Sequence, residues 1–175
     1  MRKTTARQVD SVYDKIFNEF QNVHDLACAD EEMIRTYIRP LGMHGRAHQL
    51  KSSAKMIEDK FDGRVPDDYN ALMSLPGVGP YVAGVVEVFG FGNSYPLIDS
   101  NVGRLLGRIE GIEHDSKVNI TSRLDQIYLG ACPKGEERNF HHGLLDIAAL
   151  YCRPTDPECP QCPLAKFCKS RRQLN

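Results

Sequence analysis

Four of the six cysteines crowd into residues 152–168, CRPTDPECPQCPLAKFC, at the spacing C-x6-C-x2-C-x5-C. Cys152, Cys159, Cys162 and Cys168 are set in a loop that Pro154, Pro157, Pro160 and Pro163 keep free of regular structure, so their thiolates converge on one centre. A set of four thiolates suits zinc or an iron–sulfur cluster. Zinc sites usually use two C-x2-C-like knuckles separated by a longer spacer; only Cys159 and Cys162 form one, which favours the cluster without excluding zinc. A second stretch, Leu75-Pro76-Gly77-Val78-Gly79, reads as a tight reversal between two helices. Its glycines leave backbone N–H groups directed outward at a helix start, where a phosphate docks without base contacts. The same five residues also suit a plain αα-hairpin in a bundle. Cys28 and Cys132 lie outside the loop and read as buried packing residues.

These groups need helices to hold them. Val9, Val12, Tyr13, Ile16, Phe17 and Phe20 recur at three and four, predicting an amphipathic helix over residues 6–22. Asp30 caps a short helix carrying Met33, Ile34, Tyr37 and Ile38, which Pro40 and Gly42 stop. Ala47, Leu50, Ala54 and Ile57 define the next, ending near Gly63 and Pro66. One helix closes at Met73 ahead of the reversal, and another runs from Tyr81 to Phe89 with Pro80 at its first position. Phe89 to Pro96 reads as a Gly-rich linker. Asp99 then stands at an N-cap before Val102, Leu105, Leu106 and Ile109. Ser116 opens a helix to about Leu129, and Phe140 to Tyr151 outlines the last, leading into Cys152. No two-residue alternation bounded by hairpin turns interrupts this, so the fold class is all-α.

At 175 residues the chain carries one domain or two packed lobes with a proper core. A net charge of −1 means that any grip on nucleic acid comes from a local basic face. The polar start after Arg2-Lys3 and the lack of long apolar runs predict neither signal peptide nor membrane span. The expectation is a soluble intracellular protein, cytoplasmic or nucleoid, nuclear in a eukaryote. That address also favours metal over disulfide for the clustered cysteines.

Taken together, the LPGVG hairpin, the segment IDSNVGRL around Asp99 and the cysteine loop resemble the endonuclease III superfamily of helix-hairpin-helix DNA glycosylases, over almost the whole chain. The resemblance implies a six-helix-barrel module at residues 1–95 and a helical lobe at 96–175, with DNA and the extruded base in a cleft between them. It also implies a [4Fe-4S] cluster on Cys152, Cys159, Cys162 and Cys168. In the superfamily's bifunctional lyases a lysine follows the hairpin where this chain has Tyr81. A phenol forms no Schiff base, and with an ordinary pKa of about 10 only roughly one in a thousand is ionised at neutral pH. Tyrosine there resembles the thymine/guanine mismatch glycosylases. Asp99, 18 residues beyond Tyr81, matches the superfamily's catalytic aspartate. Leaving of a base builds positive charge on deoxyribose, and a fixed carboxylate at ~4 Å and an effective dielectric of ~20 offers roughly 4 kcal/mol. The bland alternative is a helix cap of about 1 kcal/mol, and one carboxylate can be both.

The resemblance extends more weakly to DNA contacts: Leu75, Gly77, Val78 and Gly79 on the backbone, Met43 or His44 as the wedge in the vacated stack, and Arg104, Arg108, Lys166 and Lys169 on phosphates. The expected partner is double-stranded DNA that carries a mismatched or damaged base; the sequence leaves the oligomeric state open, with a monomer as the expectation. The chain departs from the pattern at Met1 to Thr5: relatives carry a longer apolar stretch there, and in adenine and mismatch glycosylases that stretch includes a glutamate near the target base. A shorter start is expected to leave apolar surface for a partner subunit to cover. The expected activity is a monofunctional glycosylase acting on thymine or uracil opposite guanine. The alternatives are an adenine glycosylase acting opposite oxidised guanine and a non-catalytic DNA-binding protein with a structural cluster.

Overall fold

The computed structural model describes residues 4–112 and 117–173, and among them it contains helices, turns and loops but no strand. Among the described residues nine α-helices follow in order: α1 (Ala6–Glu19), α2 (Val23–Cys28), α3 (Glu31–Ile38), α4 (Ala47–Phe61), α5 (Tyr69–Met73), α6 (Pro80–Val85), α7 (Ser100–Glu110), α8 (Lys117–Ala131) and α9 (Glu137–Leu150). Among the described residues five begin at a side-chain cap: Thr5, Asn22, Asp30, Asp68 and Asp99 each accept a bond from the orphan N–H groups of the first turn, and of these Asp30 and Asp99 are the caps expected from the sequence. Thr5 forms a full capping box with Gln8. Ser116, expected to open α8, lies outside the described residues.

The packing separates the chain into residues 1–80 and 81–175, where the sequence reading set the boundary after residue 95. The reason lies in the residues between. Val85, Val88, Phe89, Tyr95 and Leu97 belong to the apolar core of α7, α8 and α9, with Leu105, Leu106, Tyr128 and Leu144. In the first unit, Ile34, Ile38 and Ala47 form a core with Ile16, Phe20 and Leu26 against it.

Two expected helices differ. The first was expected to run to residue 22 but ends at Glu19: Phe20 leaves helical geometry at φ −113°, and Asn22 caps a new helix. Its apolar stripe is only partly covered. Val12 is buried, while Val9, Tyr13 and Phe17 are 40 %, 54 % and 57 % exposed. The helix of the hairpin's second arm does not end at Phe89. It widens into a π-helical turn, Val86–Phe91, closed by Gly92 at φ 75°. Arg138 donates to the Val88 and Phe89 carbonyls at 3.3 and 2.8 Å, satisfying acceptors at the end of that helix. No described helix is long and apolar enough to cross a membrane.

Candidate active site

Asp99 reaches its place because Leu97, fully buried, fixes the strand of chain that leads into α7. Its Oδ1 accepts from the backbone N–H of Asn101 and of Val102, both at 2.8 Å, and its Oδ2 accepts from the Asn101 side chain at 3.0 Å. Three donors at the start of an 11-residue helix hold the side chain in one orientation. Oδ2 retains an acceptor position beyond its one bond. Asn101, two residues on, was not singled out in the sequence, although an amide so placed could have been read as a partner of the cap.

Tyr81 lies at the start of α6, 41 % exposed. Its phenol is pushed above its ordinary pKa, first by burial and then by the Asp99 charge. Both causes act against ionisation of the hydroxyl. Two further residues of this cluster were not foreseen. His141 on α9 is buried and its imidazole is held below its ordinary value by burial, with Asp99 pulling the other way and His142 adding to the depression. Tyr128 on α8 is fully buried and its phenol is raised, chiefly by burial and then by Cys132, with Tyr81 and Glu137 adding and a hydrogen bond to the Leu97 backbone opposing. Only their helical periodicity was visible in the sequence, and it reads as core.

The hairpin is built in the first unit. Val78 N–H donates to the Leu75 carbonyl at 3.1 Å, with Pro76 and Gly77 at the turn and Gly77 at φ 79°. α4 holds it: Ser53 Oγ donates to the Pro76 carbonyl at 2.6 Å, and Gln49 packs so closely on Gly77 that a Cβ there would meet it at 2.9 Å. Among the described residues, the Gly77 and Gly79 N–H groups make no backbone hydrogen bond. Leu75, expected at the DNA, is 4 % exposed and anchors the turn in the core instead. Met43 is 38 % exposed after the left-handed Gly42. The His44 side chain lies outside the described residues.

The cysteine loop leaves α9 and is strapped to α7. Arg104, expected on a phosphate, turns inward: it donates to the carbonyls of Cys152 at 2.8 Å and Ala148 at 3.1 Å, and to Asn101 Oδ1 at 3.2 Å. Arg108 does the same for the carbonyls of Arg153 at 2.7 Å and Pro154 at 3.0 Å, and reaches Cys152 Sγ at 3.4 Å. A guanidinium offers five donors in a rigid fork, and each of these two satisfies two carbonyls, Ala148 and Cys152 for Arg104 and Arg153 and Pro154 for Arg108. Lys169 pairs with Glu110 at 2.7 Å. Lys166 remains exposed, its ammonium 4.9 Å from the Phe167 ring centroid.

Cys152, Cys159, Cys162 and Cys168 line one cavity with Leu105, Ile109 and Leu164. Among the described residues no group of three or more His, Cys, Asp or Glu side chains is gathered to hold a metal ion. The donor set still has the chemistry of a metal centre. The Cys159 thiol is raised by burial and then by Cys168, Cys152 and Cys162, with only Arg108 opposing. A multivalent cation compensates the charge of thiolates gathered in one apolar cavity, and cysteine binds metal in that form. Cys28 and Cys132, expected to be buried, are exposed and half-buried respectively.

The model of the HhH-GPD superfamily of base excision DNA repair proteins matches residues 2–128. A thymine-DNA glycosylase of Aeropyrum pernix is 38 % identical over 172 residues, 96 % of this chain and 77 % of the relative. A thymine/uracil-DNA glycosylase of Methanothermobacter thermautotrophicus is 32 % identical over 96 % of this chain and 76 % of its own. The solved structure of a thermostable thymine-DNA glycosylase superposes with a TM-score of 0.90 at 31 % identity, covering 98 % of this chain and 80 % of that one. An endonuclease III trapped in a covalent intermediate with DNA superposes at 0.84 and 28 % identity, covering 98 % of this chain and 79 % of that one.

Proposed function

Because this chain belongs to the HhH-GPD superfamily of base excision DNA repair proteins, we propose that it is a monofunctional DNA glycosylase that hydrolyses the N-glycosidic bond of thymine or uracil opposite guanine. The observation that carries the reading is Asp99, a carboxylate fixed by three N–H donors at the mouth of α7 beside a protonated Tyr81. The names of the relatives support the base preference. Adenine DNA glycosylases match less well: that of Buchnera aphidicola from Baizongia pistaciae is 31 % identical over 48 % of its length.

The base leaves as the C1′–N bond breaks, and positive charge grows on the sugar ring. Asp99 stabilises that charge and orients or deprotonates the water that ends at C1′. Since Asn101 and Val102 hold the carboxylate in place beforehand, little reorganisation is needed when the charge appears. Tyr81 has no amine to trap the sugar, so the product is an abasic site with the strand intact. Flipping the base costs a few kcal/mol, less at a mismatch. Gly77, Val78 and Gly79 hold the DNA backbone through main-chain groups, Met43 or His44 fills the vacated stack, and Lys166 adds a phosphate contact. Cys152, Cys159, Cys162 and Cys168 would hold a [4Fe-4S] cluster, whose contribution is to cross-link the loop that carries Lys166.

Single-turnover assays on duplexes with G·T, G·U, A·8-oxoguanine and thymine glycol, read with and without alkali, test this. Abasic product from G·T or G·U, nicked only after alkali, is expected. Nicking without alkali refutes the monofunctional assignment, excision of adenine transfers the protein to the other glycosylases, and no abasic product on any duplex leaves a DNA-binding protein. Asp99→Asn is expected to fold, bind the duplex and lose about three decades of rate; near-full turnover sinks the role given to Asp99.

A further inference from the structure

Cys28, which the sequence presents as a packing residue, stands exposed at the last position of α2. His24, four residues earlier, lies on the same face of that helix, and its Nε2 is 3.5 Å from Cys28 Sγ. The other ring nitrogen, Nδ1, is 3.7 Å from Oε2 of Glu58, which belongs to α4. The two helices pack against each other with Ala27 and Ile57 buried, so the three side chains are held on one scaffold. Glu58 has its own support. A Cβ at residue 63 would stand 3.1 Å from Glu58 Oε1, so Gly63 leaves the carboxylate its room.

Spacing and distances share one chemistry. Residues four apart on a helix reach a single ion from one face, as the two histidines of an H-E-x-x-H helix do. In a tetrahedral shell, bonds of about 2.3 Å to sulfur and about 2.0 Å to nitrogen set the two donor atoms roughly 3.5 Å apart. That is the separation between Cys28 Sγ and His24 Nε2. A carboxylate at the far nitrogen of a ligating imidazole fixes its tautomer and ring orientation, and Glu58 takes that place. The His24 side chain is 69 % exposed, so an ion enters directly from solvent.

We propose that His24 and Cys28 form a zinc(II) site on α2, with Glu58 as the positioning residue of the imidazole. When the ion binds, the S–H bond of Cys28 gives its proton to solvent and the thiolate bonds to zinc. His24 stays neutral: Nε2 gives its lone pair to the ion, and the ring proton sits on Nδ1, facing Glu58. A thiolate with an imidazole suits zinc, whereas magnesium and calcium take oxygen ligands. Among the described residues no group of three such side chains is gathered, so water completes the shell and leaves positions open to exchange. Two protein ligands hold an ion less firmly than four, and a chelator therefore strips this site. The site belongs to the unit of residues 1–80, and the cysteine loop to the other.

The test uses the whole purified protein, its cysteine loop loaded as it comes, after dialysis against EDTA. Equilibrium dialysis against zinc chloride, followed by a metal count, is expected to add one zinc per wild-type chain and none per Cys28→Ser chain, with the same iron content in both. His24→Ala is expected to raise the Kd for zinc about tenfold or more, and Glu58→Gln about tenfold, as for the loss of an outer partner of a ligating histidine. Helical circular dichroism stays at the wild-type level in all three variants. Cobalt(II) in place of zinc is expected to give a thiolate-to-metal charge-transfer band in the wild type that Cys28→Ser lacks. If Cys28 and His24 share only a hydrogen bond, Cys28→Ser takes up as much zinc as the wild type and the cobalt spectra of the two coincide. Either result overturns the proposal, as does a Kd unmoved by His24→Ala.

Discussion

Asp99 shows how one side chain serves both fold and chemistry. As a cap it accepts the N–H groups of Asn101 and Val102, and the same bonds aim it. Asparagine also caps a helix well, so Asp99→Asn separates the two roles. His141 carries a further consequence at this scale. Its folded-state pKa lies below the ordinary 6.5, through burial first, so below pH 6.5 the unfolded chain takes up a proton that the folded one resists. Its contribution is therefore constant above pH 6.5 and turns destabilising as pH falls from there through the lowered folded value. Thermal unfolding between pH 7.5 and 5 is expected to show a steeper loss of Tm in the wild type than in His141→Asn; parallel curves would contradict it. Single residues were unevenly legible. Asp99 announced itself because a cap precedes a clear apolar repeat. Arg104, Arg108 and Leu75 were misread, since composition tells that a guanidinium or an isobutyl group exists but not whether it turns toward solvent or toward unsatisfied loop carbonyls.

Elements were legible where local chemistry decides them. The caps at Asp30 and Asp99 and the Pro76-Gly77 turn fall where expected because each depends on a few adjacent residues. The break between α1 and α2 and the π turn at Val86–Phe91 were not, because an Asn cap interrupts a continuing apolar repeat in one, and Arg138, distant in sequence, supplies the donors in the other. The hairpin offers a paired prediction. Gly77 sits at φ 79° against Gln49, so Gly77→Ala imposes a left-handed conformation costing about 1–2 kcal/mol and presses on α4; lower Tm and weaker DNA binding are expected together. A Cβ on Gly79 would meet nothing within 4 Å and no positive φ constrains it. Gly79→Ala should therefore keep its Tm while losing affinity in fluorescence anisotropy on duplex DNA, because the methyl blocks the approach of a phosphate to the main chain. Equal affinity for Gly79→Ala and wild type would remove the hairpin from the DNA interface.

For the whole molecule, the cysteine loop and the α7–α9 core are two kinds of stability side by side. The core holds by packed apolar side chains around Leu105, Tyr128 and Leu144, which need no metal. The loop has few apolar residues and four prolines; it is strapped at its start by Arg104 and Arg108 and at its end by the Lys169 N–H donating to the Ile109 carbonyl at 2.9 Å. Between those straps the four thiols have no cross-link, so a metal bound by them would be what ties that stretch together. Removing one thiolate should therefore loosen the loop and spare the helices. Cys162→Ser is expected to lose absorbance near 400 nm and bound iron, to keep its helical circular dichroism, and to become sensitive to protease within residues 152–168. DNA affinity should fall with it, because Lys166 is carried on that loop and a net charge of −1 leaves no global attraction to replace a lost local contact. Stoichiometric zinc in the wild type would replace the cluster by a single ion, and a variant that keeps both its iron and its protease resistance would show that Cys162 is no ligand.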